Sequence, residues 1–258
     1  MGLLKPRAPL LHVAADLGAG PVVVLIHGIA SSSATFEKLV PLIDKTHRVI
    51  AIDLLGFGGS PSGAESSFTI EEHVAAFAHT VNSLKLKEPF TLVGHSMGGL
   101  IATRYATTNS RRLRKLVLVS PPIYVSPSAL GDPVERAAMG LYLRAYEYLR
   151  QNKSFTMRNA AMLAKISPIK NVLEVSERNW RAFTLSLQNL IESQTTISDL
   201  AKVKVPVEIA YGRLDPFLMH DAGLRIAGQL RGVRLHKVEA NDHIIRNRMA
   251  RVVATCIG

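Results

Sequence analysis

The sequence predicts an α/β fold: a mostly parallel, doubly wound sheet interrupted by one helical insertion. Three observations carry this. Apolar runs of strand length recur along the chain, and helical patterns lie between the early ones. The runs are continuous in Val, Ile and Leu, as in strands covered on both faces, and do not alternate with polar residues. The alternation then stops between about 123 and 200, where only helical patterns occur.

PVVVLIHG (21–28), HRVIAIDLLG (47–56), FTLVGHS (90–96) and LRKLVLVSPP (113–122) read as strands, and VPVEIAYG (205–212) and VRLHKVEAN (233–241) close the series. ATFEKLVPLID (34–44), TIEEHVAAFAHTVNSL (69–84) and MGGLIATRYATTN (97–109) read as the helices between them. Repeated βα units imply a parallel sheet with helices on both sides. In the insertion, Asp132 is placed to N-cap a helix over 131–150, with Pro133 first and Glu135 completing a capping-box pattern. Stretches 154–166 and 176–193 read as further helices. The expected organisation is a core of 1–122 and 201–258, with 123–200 as a helical cap following the strand that ends near 120.

The composition is that of a globular protein: 258 residues, 47% hydrophobic and 20% charged. No run of 18 apolar residues is present, so no transmembrane helix is expected. MGLLKPRAPLLHVAADLG lacks a convincing signal-peptide core and the Ser or Thr of a myristoylation signal. Cys256 is the only cysteine, which excludes an intrachain disulfide and fits a cytoplasmic setting. Net charge is +11, yet the basic residues are scattered and aromatic content is 6%. A solvated basic surface is therefore expected, and no nucleic-acid partner. No Cys, His and Asp residues have metal-ligand spacing, and IDLLGFGGS lacks a dinucleotide fingerprint or a Walker lysine. No metal and no cofactor are expected. Nothing in the sequence fixes an oligomeric state.

VGHSMGGL (93–100) carries the chemistry. Gly94, Ser96 and Gly98 form G-x-S-x-G at a strand end, with a helix following at once. Such a turn lifts Ser96 above the sheet on strained backbone. Gly94, Gly98 and Gly99 are small because a Cβ there would meet neighbouring backbone. The Met97 N–H, at a helix N-terminus, is a candidate oxyanion donor. A second comes from LIHGIASSS (25–33): Gly28 lets the backbone pass close to Ser96, and the Ile29 N–H is preferred over that of Ala30. His27 is expected to brace this loop, and His95 to pack beneath the elbow.

LIHGIASSSATF, IDLLGFGGSP (52–61), VGHSMGGL, YGRLDPF (211–217) and a late histidine, in that order, resemble the α/β-hydrolase superfamily in its capped, esterase-like branch. The resemblance spans nearly the whole chain. It implies a catalytic order of Ser, then Asp, then His, and places the acid in the loop after the next-to-last strand, which is Asp215. Asp221, near the next helix start, and Asp242, whose side chain diverges from its neighbour, are poorer acids. Of the late histidines, His220 lies beside a helix start and His236 within a strand. His243 falls beyond the last strand's C-terminal end, where active sites of open parallel sheets lie.

The resemblance implies acyl transfer to water: Ser96 attacks, His243 takes its proton, and Asp215 fixes the tautomer. The expected partner is a small-molecule acyl substrate, most simply a carboxylic ester. Tyr142, Tyr146, Met157, Met162, Trp180, Phe183 and Leu187 are candidate pocket residues, with Arg144, Arg158 and Arg181 as candidates to grip an anionic group. The Ser nucleophile argues against the dehalogenase and epoxide-hydrolase branches, which use a carboxylate. Carbon–carbon-bond hydrolase relatives usually carry Asn before the Ser and an aromatic after the late His; here His95 and Ile244 hold those places, which favours an esterase. A cofactor-free lyase, and a ligand receptor with slow hydrolysis, remain as alternative readings.

Overall fold

A computed structural model describes residues 8–61, 63, 65–125, 131–166, 174–218 and 222–258, with the side chains of 163–166 left aside. Its sheet has seven strands: β1 Val13–Leu17, β2 Val22–Ile26, β3 Arg48–Ile52, β4 Phe90–His95, β5 Leu113–Val119, β6 Val207–Gly212 and β7 Val233–Val238. Their order is β1-β3-β2-β4-β5-β6-β7. Only β1 pairs antiparallel, against β3; every other pairing is parallel.

β1 is absent from the sequence reading. Its VAADL has two large apolar residues and is largely exposed, so little burial pattern marks it. The other strands fall where the apolar runs lie. Side chains alternate between the two faces: Val24 and Ile26 of β2 join one core cluster, Val23 and Leu25 the other.

The helices are α1 Val40–Ile43, α2 Ile70–Ser83, α3 Met97–Asn109, α4 Pro133–Gln151, α5 Lys153–Ile166, α6 Trp180–Ser186, α7 Thr196–Leu200, α8 Ala222–Gly228 and α9 Asn247–Ile257. α2 and α3 pack on one face of the sheet, α1 and α9 on the other. The expected helix over 34–44 is a correction. It breaks into a 3₁₀ turn, Ser33–Phe36, and the single-turn α1, with Pro41 in the first turn. A proline tolerates that position but cannot continue a helix from the preceding turn.

Between β5 and β6 the described residues hold helices and no strand. Asp132 caps α4 by accepting from the Val134 and Glu135 amides. Glu135 instead holds Arg225 on α8, at 2.9 Å. α6 continues as a π-helical turn over Leu187–Glu192. Ala182, Phe183, Leu187, Leu190 and Ile191 are buried in the same apolar cluster as β2, α2 and α3. Part of the insertion therefore shares the sheet's core.

Candidate active site

Strand order reverses between β2 and β4, which run side by side with Ile26 opposite Gly94. A crevice opens where such a reversal occurs, beyond the strands' carboxyl ends. The loop of His27 to Ala30 and the turn at Ser96 leave these two strands. Backbone with positive φ gathers along this edge: Ala30, Ser96, Ser120 and Ala240 follow β2, β4, β5 and β7. Each such non-glycine residue costs about 1–3 kcal/mol and persists only where its surroundings enforce it.

Ser96 has φ 52° and ψ −124° and is buried. Glycines hold it there by contact. A Cβ on Gly94 would sit 2.5 Å from the Gly98 carbonyl oxygen, and one on Gly98 2.4 Å from that of His27. One on Gly28 would reach 2.8 Å from Ser96 Cβ, so the β2 loop runs directly against the turn. Gly99 has more room than expected; its nearest neighbour would be Pro121 Cβ at 3.2 Å. Met97 opens α3, and its amide has no intrahelical acceptor. Ile29, next to Gly28, packs half-buried on the core.

Asp215 and His243 meet. His243 Nδ1 lies 2.8 Å from Asp215 Oδ2, and the Phe217 amide donates to Asp215 Oδ1 at 2.9 Å. The Asp215 side chain is fully buried, that of His243 19% exposed. Pro216 has no N–H, so the next amide along supplies this second bond. Gly212 matters less for a turn than for close approach: a Cβ there would be 2.3 Å from the Asn241 carbonyl oxygen. That contact seats the histidine loop against the acid's strand.

His95 is the residue whose part the sequence reading missed. Its Nε2 donates to the His243 carbonyl oxygen at 2.9 Å, and the two rings lie 5.0 Å apart. The neighbour of Ser96 thus ties the serine turn to the histidine loop. Burial, then the nearby His243, pushes its pKa down to about 3, so the ring is neutral. Only the structure brings these segments together; a histidine in the x position of G-x-S-x-G carries no such signal.

His27 braces its loop as expected. Nδ1 donates to the Gly28 carbonyl at 2.7 Å and Nε2 accepts from the Leu54 amide at 2.9 Å. Burial pushes its pKa down to about 4. IDLLGFGGSP gains a reason too. Asp53 accepts from Ser33 N and Oγ, from Gly59 N and from His12 Nδ1. Burial opposes its charge, but these donors outweigh it and hold the carboxyl below its usual range.

Asp242 does not orient His243. It pairs with Arg246 at 2.7 Å and accepts from the Ile244 amide at 3.0 Å. Asp221 and His220 lie outside the described residues.

Of the candidate pocket residues, Tyr142 and Tyr146 are linked to this site by a chain of ring contacts. Their hydroxyls and that of Tyr124 lie 2.7–2.9 Å from one another. Tyr142 packs at 6.4 Å on Phe217, whose ring sits 4.6 Å from His243. Burial raises the pKa of all three phenols, so they act as neutral hydroxyls. Phe183 and Leu187 are buried in the core, and Trp180 stacks on Phe183 at 5.7 Å. Met157 is half-buried, while Met162 is 57% exposed. Arg181 donates to the Ser66 carbonyl.

The fold agrees with the chain's relatives. The family described as alpha/beta hydrolase fold matches residues 21–162, and the chain belongs to it. It is similar to a probable lysophospholipase, BODYGUARD 3 of Arabidopsis thaliana, 37% identical over 43% of this chain and 23% of that protein. It is also similar to pimeloyl-(acyl-carrier protein) methyl ester esterase of Aeromonas hydrophila, 35% identical over 42% of this chain and 41% of that one. The chain thus spans a quarter to two-fifths of these relatives' length. Among solved structures, the enol-lactonase from Burkholderia xenovorans LB400 superposes with a TM-score of 0.70, at 21% identity, over 96% of this chain and 94% of that one. No helix among the described residues is long and apolar enough to cross a membrane.

Proposed function

We propose that this chain is a serine hydrolase that cleaves a carboxylic ester through an acyl-enzyme on Ser96. The observation that carries the reading is the strained Ser96 turn, tied through His95 to a histidine whose Nδ1 meets a buried carboxylate. In the reaction, Ser96 Oγ attacks the carbonyl carbon while His243 Nε2 takes its proton. Asp215 holds the ring by Nδ1 and stabilises the imidazolium. The Ile29 and Met97 amides receive the developing oxyanion. The imidazolium returns its proton to the leaving alcohol. Water, deprotonated by His243, then releases the acid.

Residues 123–200 serve as the cap. Tyr142 and Tyr146 border the site through Phe217. The names of the relatives support an ester substrate: a lysophospholipase, a methyl ester esterase and an enol-lactonase. The proposed setting is cytoplasmic, in keeping with the free, buried thiol of Cys256.

The test is turnover of p-nitrophenyl esters together with fluorophosphonate labelling. Multiple turnover should fall by at least about 10³-fold in Ser96→Ala, and labelling should vanish. Ready labelling of Ser96 without turnover of any ester, thioester or lactone would shift the reading to a receptor or lyase. No labelling would remove the activated serine altogether.

A further inference from the structure

A second constellation lies lower on the same sheet. On β6 and β7, Glu208 pairs in register with Arg234, and Ala210 with His236. Glu208 and His236 therefore share the face that α9 covers, and α9 lays Cys256 over them. One ligand atom from each of Glu208, His236 and Cys256 lies within 4.8 Å of the others. Glu208 is only 4% exposed, an unusual place for a carboxylate unless it is paired or bound. The residues line a cavity of about 420 Å³ that also touches Lys115, Arg234, Val252 and Thr255. Glu208 precedes the end of β6 by four residues, roughly 13 Å of strand, so this is not the serine site.

We propose that Glu208, His236 and Cys256 form a binding site for a divalent cation of borderline softness, zinc being the best match. The donor set is one thiolate, one imidazole and one carboxylate, the mixture zinc prefers, with water as the fourth ligand. Ligand atoms on tetrahedral zinc stand roughly 3.3–3.8 Å apart, so the close His236–Glu208 pair would part slightly and the thiol, within 4.8 Å of both, would draw in by about 1 Å at most. The cation would displace the thiol proton and take the place of the hydrogen bond between His236 Nε2 and Glu208 Oε2, now 2.7 Å apart, with the imidazole keeping its single proton on Nδ1.

Two cationic side chains stand close by. Lys115 Nζ is held by the carbonyls of Cys256, at 2.6 Å, and Ile257, at 3.4 Å. Arg234 occupies Glu208 Oε1 at 3.0 Å, but its side chain is 72% exposed and can swing into solvent. It competes with the metal without being part of the site.

The test is titration of the purified chain with Co²⁺, whose thiolate complexes show a sulfur-to-metal charge-transfer band. The wild type should give this band, saturating at one metal per chain. Cys256→Ser should abolish it, His236→Gln should weaken binding at least about tenfold, and Arg234→Ala should strengthen it. Zn²⁺ should also raise the melting temperature of the wild type and not of His236→Gln. Because His236 is part-exposed, that variant keeps the test open even where Cys256→Ser folds poorly. No band in the wild type, a band that survives Cys256→Ser, or an affinity in His236→Gln within twofold of wild type overturns the site. Ester turnover is a separate readout, and its failure would leave the cobalt result standing.

Discussion

β6 and β7 and the loops that follow them carry two carboxylate–imidazole pairs, each with its partners 28 residues apart in sequence. Asp215 Oδ2 meets His243 Nδ1 at 2.8 Å, and Glu208 Oε2 meets His236 Nε2 at 2.7 Å. In each pair the carboxylate is buried. The equal spacing reflects one parallel βαβ unit read at two heights. What separates the pairs is their surroundings. Asp215's other oxygen is met by a neutral amide, so its full charge faces His243. Glu208's other oxygen is met by Arg234, which cancels that charge. His243 lies beyond the strand, against the loop bearing Ser96, while His236 lies within the strand under a thiol. What sets His243 apart, and supports its proposed role as base, is its place beyond the strand end with no counter-cation on Asp215 among the described residues.

The sharpest way to break this contrast is to neutralise each acid. Asp215→Asn should lower kcat for an ester by about 10⁴-fold, because the amide cannot hold the reactive tautomer. Glu208→Gln should leave kcat within about twofold, since its histidine reaches no serine. Equal losses in the two variants, normalised to folded protein, would defeat the contrast.

Acid stability tests the burial of three other histidines. His27, His73 and His95 are buried, and burial depresses their pKa values to about 4, 3 and 3. In the unfolded chain all three take up protons once pH drops below about 6.5. In the fold they stay neutral over that range, so the unfolded state binds more protons and stability falls as pH falls. Each contributes on the order of 1 kcal/mol per pH unit. The melting temperature should therefore be level above pH ~7 and decline steadily from pH ~6 downward. A melting temperature unchanged down to pH ~5 would mean that these rings are not buried as described.

Glycine contacts support the comparison from the backbone side. Gly98→Ala sets a methyl 2.4 Å from a carbonyl oxygen on the serine side, and Gly212→Ala 2.3 Å from one on the acid side. Each should cost about 1–3 kcal/mol in urea unfolding, and reduce activity by displacing Ser96 or His243. Gly140, inside α4, would meet nothing within 4 Å. Gly140→Ala should stabilise by about 1 kcal/mol. A stabilising Gly98→Ala would show that the turn has slack.

Most of the core was legible because its physics is local. Val-rich runs mark the buried strands, G-x-S-x-G marks the turn at Ser96, and Asp132 marks the start of α4. Four features were not. β1 is an edge strand and lacks a buried pattern. The break before α1 comes from one proline inside a good apolar period. His95's bond to the His243 carbonyl and the grouping of Glu208, His236 and Cys256 join segments whose separation only the fold removes. Metal-ligand spacing in sequence is a property of single loops, and these three side chains come from β6, β7 and α9.

The smallest expected effect concerns the carboxylate that sequence alone sets beside the base. Asp242 adjoins His243, but its oxygens serve Arg246 and the Ile244 amide, and burial's opposition to its charge is outweighed by these donors. Both side chains of the pair are partly exposed, 35% for Asp242 and 44% for Arg246. Solvent screening limits such a pair to about 1 kcal/mol or less. Asp242→Asn should therefore lower stability by no more than that and change kcat by less than about threefold, since Asp215 still holds the ring. The amide oxygen can keep the Ile244 contact, so the loop should survive. A loss approaching that of Asp215→Asn would mean that Asp242, and the arginine it neutralises, set the charge around His243 directly. The C-terminal arginines would then belong to the chemistry, whereas Arg248 and Arg251 are exposed on the first turns of α9.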